Sequence, residues 1–495
     1  MLGVQLGSGD VMVPLLAGAG ALMVMTAFLL NKNTPIDAVV LLLAISGFVI
    51  AGKGFAYQRL GAIFFVGELT LAFTAAFYVI RWMGGRQRLI PSSPMALALV
   101  ILGSYSLLHL LVDFQQYGIM ALRDSCMIYY TILFFVAYQL GLSAETNSAM
   151  RRFLLCIAPI GLLVEMTSLF PSVRLAMAQF SVGGVPLLLP HADATVHMVF
   201  GLVFFLYFRW EQGRPLGGLA LLALLMVLGY IAVQARGAAY VTLFFVAGLF
   251  LLSRRFKFFL VTIPAAAVAL VIALGVISSG MGSRFELVKS MKEQFEALNP
   301  FAVKKMDTLD KHTAEWRLYW WKKITKDVTR ESPFTGFGFG ADISSSFIKE
   351  FFRLTTTSEQ HERTRGAHNV FFTILGRLGW IGALLFVVVV AVQCYYFLRM
   401  LKAVRRGWLT DDELFVWGLV SAGFVVGFFQ YAWEAPYSAI PYWVYCGLAY
   451  SRLDEVERSH AVMEPGLART LNETPQEKRV TILAPPRLAL QSRRS

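Results

Sequence analysis

The chain is written as a succession of apolar runs, each of roughly 18 to 22 residues, separated by short charged joints. That is the length an α-helix needs to cross a hydrocarbon core of about 30 Å. Backbone N–H and C=O groups in lipid have no water to bond, so such segments satisfy them internally and fold as helices. Composition agrees, since 57% of the residues are hydrophobic and 15% charged, against about a quarter charged in soluble domains. The expected fold is all-α, a polytopic transmembrane helical bundle of about 12 to 13 spans. The spans are placed near 11–30, 37–51, 60–80, 95–112, 125–142, 153–170, 192–208, 218–235, 237–252, 259–279, 378–398, 414–432 and 436–450.

A net charge of +13 would point a soluble protein toward nucleic acid. Here the basic residues stand at helix ends, which is topology rather than nucleic-acid binding. Arg81, Arg86, Arg88, Arg151, Arg152, Arg209, Arg214, Arg254, Arg255, Lys257, Arg399, Lys402, Arg405 and Arg406 mark the cytoplasmic joints. The opposite joints carry few, chiefly Lys53, Arg59, Arg123 and Arg174. This asymmetry places the N-terminus outside and the C-terminal tail inside. The first apolar run lacks a basic n-region and is long enough to remain as a span. Cys126, Cys156, Cys394 and Cys446 lie in or beside apolar runs without a pairing motif, so they read as packing residues.

Three segments follow. Residues 1–217 hold the N-terminal helices, 218–450 hold a second set that includes an extracytoplasmic loop over 280–367, and 451–495 read as a disordered cytoplasmic tail. No cytoplasmic joint is long enough to fold a nucleotide-binding domain, which disfavours nucleotide-linked substrates.

The loop contains a helical stretch, His312 to Arg330, with an apolar stripe through Trp321, Ile324 and Val328. Arg317 falls on that stripe and must snorkel or meet an anion; alternatively Trp316, Trp320 and Trp321 are simply an interfacial aromatic belt. Ser332-Pro333-Phe334-Thr335-Gly336-Phe337-Gly338 follows, where glycines let backbone approach a ligand or a neighbouring helix. His368-Asn369 stands just ahead of an apolar helix, whose free amides favour a neutral histidine able to accept a proton. One of the two residues could equally be the helix cap. Arg236, between two apolar runs on the outer side, needs a partner there, either a carboxylate such as Glu68 or Glu165 or a phosphate-bearing substrate.

Taken together, Arg236-Gly237, Glu315-Trp316-Arg317 with Trp320, the Ser332–Gly338 turn, and His368-Asn369 ahead of Leu378-Gly379-Trp380-Ile381-Gly382 resemble the O-antigen ligase and polymerase superfamily over about residues 218–385. Ala121-Leu122-Arg123-Asp124 and Pro441-Tyr442-Trp443 are similar in style. The pattern departs from relatives at Pro190-His191-Ala192-Asp193 and at Arg377, where an acidic residue is common. The resemblance implies a glycosyltransferase of the bacterial inner membrane, with its active site on the periplasmic side. It would move a glycan from a polyprenyl diphosphate carrier to a hydroxyl of a glycan or lipid A-core acceptor, and would touch membrane lipids but no nucleic acid. It also implies that Arg236 and Arg317 hold the diphosphate and that His368 lies near the acceptor hydroxyl. Trp320, Trp321, Gly336, Gly338, Asn369 and Arg123 are then expected to line the substrates. Inversion at the anomeric carbon is expected, with no metal and no cofactor, because guanidinium groups can stabilise the leaving charge. A lipid-linked glycan transporter or flippase, or an envelope polysaccharide assembly protein, is the alternative.

Overall fold

The computed structural model describes residues 34–60, 64–85, 87–168, 192–214, 236–260, 313–344, 366–430 and 432–472, with a few positions between 173 and 189, between 217 and 221, and at 263. Among them the chain forms thirteen helices and two antiparallel ladders with two residues per strand. In order these are α1 (Ile36–Ala56), β1 (Arg59–Leu60), β2 (Phe64–Phe65), α2 (Val66–Met83), α3 (Pro94–Tyr117), α4 (Ile119–Asp124), α5 (Cys126–Tyr129), α6 (Ile132–Gly141) and α7 (Ala144–Ser168). Then come β3 (Ser181–Val182), β4 (Val185–Pro186), α8 (Ala192–Glu211), α9 (Arg236–Leu252), α10 (Thr313–Glu331), α11 (Val370–Arg405), α12 (Asp411–Phe429) and α13 (Pro436–Asn472).

Five of these helices, α1, α3, α7, α11 and α12, are long and apolar enough to cross a membrane. The protein is a multi-pass helical membrane protein. The expected spans near 11–30 and most of those near 218–235 and 259–279, together with loop stretches 280–312 and 345–365 and residues 473–495, lie outside the described residues. The run expected as one span over 125–142 is divided into α5 and α6, where Ser125 and Thr131 hydroxyls turn back onto the carbonyls of Leu122 and Ile128 at 2.8 and 2.6 Å. Met1–Leu453 forms one compact unit and Asp454–Ser495 a second. The tail expected from 451 remains helical to Asn472.

Charged residues sort the helix ends. Asp37, buried at the start of α1, is ion-paired with Arg81 at the end of α2. Thr34, just ahead of α1, shares a hollow with Glu145 and Arg152 of α7. Arg151 of α7 bonds Asp412 and Glu413 at the start of α12, each at 3.0 Å. Gln212, just past α8, reaches Asp411 at 2.7 Å, and Glu211 pairs with Arg255 beyond α9 at 2.7 Å. Arg405, closing α11, donates to the Leu252 carbonyl that closes α9. The joints rich in Arg therefore gather at one end of the bundle. The end of α1, the start of α11 and the end of α12 lie at the other.

Near that other end α11 is broken at Gly379 (φ 66°, ψ −165°). The turn after α10 fills the break. Phe337 and Gly338 N–H donate to the carbonyls of Gly376 and Arg377 at 2.8 and 3.0 Å, and Trp380 N–H donates to Pro333 at 2.8 Å. The carbonyls freed by the break thus regain partners. Beneath it, buried Arg377 pairs with Asp124 at 2.8 Å and donates to the carbonyls of Gly338 and Ala341. Asp124 accepts from Gly340 N–H at 3.0 Å and Asp113 from Phe339 N–H at 2.7 Å.

A Cβ at Gly379 would stand 2.5 Å from the Phe334 carbonyl carbon, in a left-handed conformation besides. Gly379→Ala should therefore lower stability by about 1–3 kcal/mol, read as thermal unfolding in detergent. Gly103→Ala, which meets nothing within 4 Å, should be neutral or slightly stabilising. Equal stability of the two variants would mean that the turn does not impose the break.

Candidate functional site

Helix α10 is amphipathic, and its buried stripe is the one its 3.6-residue period dictates. Trp320, Ile324 and Val328 are buried and pack with Ile343, Ala367, Leu375 and Ala383. Arg317 lies one turn ahead on the same stripe, half-buried. Trp320 donates to the Ile343 carbonyl at 3.2 Å, and Trp321 to the Ala367 carbonyl at 2.8 Å. The Trp321 ring also stacks on Phe372, with centroids 5.0 Å apart. Two indole N–H groups thus tie the loop helix to the segment that leads into α11.

In that segment Asn369 is the cap of α11. Its Oδ1 accepts from Phe371 and Phe372 N–H at 2.9 and 3.4 Å. Its Nδ2 donates to the Phe428 carbonyl at 2.8 Å, near the end of α12. With the cap supplied by Asn369, His368 holds a different place. It has a positive φ of 52°, a conformation uncommon for a residue with a Cβ. Its ring meets Trp320 edge-on at 6.4 Å.

Arg317 donates from Nη1 to the Phe429 carbonyl at 3.1 Å. Adjacent carbonyls at the end of α12 therefore receive Arg317 and Asn369, which brings Arg317 beside His368. Lys53, close to the end of α1, is the second cation near the ring, with its Nζ 5.9 Å over the Tyr437 ring. Burial first, then Arg317, then Lys53 push the His368 imidazole down to about 4. It is neutral at pH 7, for reasons other than the helix amides, which Asn369 serves.

Glu434, between α12 and α13, completes the surroundings. It accepts from the Thr373 hydroxyl at 2.8 Å, while Thr373 accepts from Ala367 N–H at 3.0 Å. Burial pushes its carboxyl up to about 7, opposed by the Thr373 hydrogen bond and Arg377 and aided by Asp124.

Residues 221–387 match the family model of O-antigen ligase. The chain carries an O-antigen ligase domain. The O-antigen ligase family implies glycosyl transfer and lipid-linked glycan substrates in general. No curated protein matches the chain significantly. Arg236, Arg317, Trp320, Trp321, Gly336, Gly338, His368 and Asn369 all lie within the O-antigen ligase domain. Lys53, Phe428, Phe429 and Glu434 lie outside it, so the surroundings of His368 are built partly by the rest of the chain.

The structure brings Arg317, Trp320, Trp321, His368 and Asn369 together. Arg236 opens α9 at the end opposite Leu252, toward the same side of the bundle; its side chain lies outside the described residues. Gly336 and Gly338 approach α11 and Asp113 closely rather than open space. Arg123 is exposed and lies 5.9 Å over the Phe65 ring. Glu68, considered as a partner of Arg236, instead accepts from the hydroxyls of Tyr129 and Tyr130, each at 3.2 Å. Sequence reasoning missed Lys53 and Glu434. Their signal was a lysine closing an apolar span and a carboxylate between two.

Aspartate caps helices as well as asparagine, so Asn369→Asp isolates the contact with α12. A carboxylate oxygen would face the Phe428 carbonyl in place of a donor. Thermal unfolding should show a loss of about 1–3 kcal/mol. Unchanged stability would mean that this bond does not hold the two helices together.

Proposed function

We propose that the protein transfers a glycan from a polyprenyl diphosphate carrier to an acceptor hydroxyl, on a growing glycan or a lipid A core, at the periplasmic face of the inner membrane. The carrying observation is the meeting of Arg317, Lys53 and His368, from three distant stretches, at the bundle end away from the Arg-rich joints. The positive-inside rule makes that end extracytoplasmic. Two cations beside a buried neutral imidazole suit a doubly phosphorylated leaving group next to a proton acceptor.

In the reaction the acceptor oxygen attacks the anomeric carbon from the face opposite the diphosphate. The C1–O bond breaks and its electron pair passes to the diphosphate oxygen, with inversion at the sugar. Arg317, with Arg236 as its partner, stabilises that growing charge through guanidinium forks. His368 takes the hydroxyl proton. An imidazole near 4 is a weak base on its own. The donor's negative charge beside Arg317 and Lys53 offsets their repulsion of imidazolium and raises its basicity as the complex forms. The arginines supply the charge stabilisation that a divalent ion supplies elsewhere.

His368→Ala should reach the membrane normally, still bind donor, and lose transfer by about a hundred- to ten-thousand-fold, as general-base removal typically does. Asparagine tolerates positive φ but cannot take the proton, so His368→Asn should be as inactive. The assay is transfer from lipid-linked donor by purified protein, run with and without excess chelator. An active His368→Asn enzyme removes the base from the mechanism, and activity lost to chelator and restored by magnesium removes the arginine clamp as the main electrostatic device.

A further inference from the structure

His368 is held in an unfavourable backbone conformation, φ 52°, and such a conformation persists only where surrounding contacts over-determine it. Those contacts can be traced. On one side, Asn369 is anchored by the first amides of α11 and by the Phe428 carbonyl. On the other, Ala367 is gripped at both its polar groups. Its carbonyl accepts from Trp321 Nε1 at 2.8 Å, and its N–H donates to Thr373 Oγ1 at 3.0 Å. A threonine hydroxyl has one proton, and Thr373 spends it on Glu434 Oε1 at 2.8 Å. Glu434 Oε2 lies against Gly366, so near that a Cβ there would overlap it. Glu434 is fixed in turn by its own carbonyl, which accepts from Cys126 Sγ at 3.0 Å.

We propose that Glu434 is a positioning residue for glycan transfer: through the Thr373 hydroxyl its carboxyl group fixes the Ala367 amide and so holds His368 in its left-handed conformation. This rests on the role given to His368 above. The direction of the hydrogen bonds carries the argument. With its proton committed to Glu434, Thr373 must present a lone pair to Ala367. Without an acceptor at Glu434, the hydroxyl is free to turn toward the carbonyl one turn back in α11. The Ala367 amide would then lose a partner that is fixed in direction.

Ionisation strengthens this strut, because a carboxylate accepts more strongly than a neutral carboxyl group. The charged and titratable groups around Glu434 are Arg377 of α11, Asp124 of α4 and Cys126 of α5. With Glu434 near 7 and His368 near 4, kcat/KM, which reports groups of the free enzyme, should fall on acidification through pH 7, well above the range where His368 protonates before donor binds.

The test compares kcat and donor KM of Thr373→Val, Thr373→Ser and Glu434→Gln with the parent over pH 5 to 9, alongside hydrogen–deuterium exchange of the peptide spanning Gly366–Asn369. Thr373→Val keeps the bulk and removes both hydrogen bonds. It should lower kcat roughly tenfold or more with KM little changed, and speed exchange at Ala367. Thr373→Ser should restore both. Glu434→Gln still accepts from Thr373 but cannot ionise, so the acid limb of its kcat/KM near pH 7 should disappear. Unchanged exchange in Thr373→Val, or an unchanged acid limb in Glu434→Gln, would overturn the strut while leaving His368 as base. Faster exchange with transfer fully retained would instead overturn the role of His368 and leave the strut as a structural contact.

Discussion

The site hangs on two carbonyls. An α-helix leaves its last carbonyls without intrahelical partners, and at the end of α12 those of Phe428 and Phe429 receive Asn369 and Arg317. These bonds bring three elements to one point: a bundle helix, a loop helix and the start of α11. The negative end of the α12 dipole also favours the guanidinium. The Arg317 guanidinium, at the bundle end away from the Arg-rich joints, is thus partly compensated by the protein itself.

The charge pattern around this join has a chemical consequence. Lys53 and Arg317 disfavour a proton on His368, and burial disfavours it more. The same cations suit the diphosphate of the proposed donor. On that proposal one arrangement keeps the imidazole unprotonated until the leaving group binds and then makes it more basic. The break at Gly379 belongs to this arrangement as well. It lets the turn after α10 bond directly to the backbone of α11, which fixes the loop helix against the segment carrying His368.

Much of this was legible in the chain. The apolar runs marked α1, α3, α7, α11 and α12 as spanning helices because length and hydrophobicity alone decide that question. The stripe on α10 was visible from its period, including Arg317 on the buried side. His368-Asn369 ahead of an apolar run showed a helix start, though which residue capped it depended on the φ of His368. The long-range pairings were not legible. Periodicity shows which face of a helix is buried but not which helix end meets which, so Lys53 and Glu434 passed as ordinary residues at span edges. The paired glycines of the Ser332–Gly338 turn were compatible with ligand or helix, and only the break at Gly379 decides for the helix. Arg377 was read as a departure in the pattern. It is in fact the buried partner of Asp124, and it stabilises the break from below.

The central claim is that the end of α12 presents a diphosphate site through Arg317, and binding of glycan-free polyprenyl diphosphate to purified protein tests it without any chemistry. The account predicts saturable binding that weakens about tenfold or more in Arg317→Lys, because lysine keeps the charge but loses the planar fork that matches phosphate oxygens. Binding should also be nearly unaffected in His368→Ala. Equal affinity of the parent and Arg317→Lys proteins would contradict it.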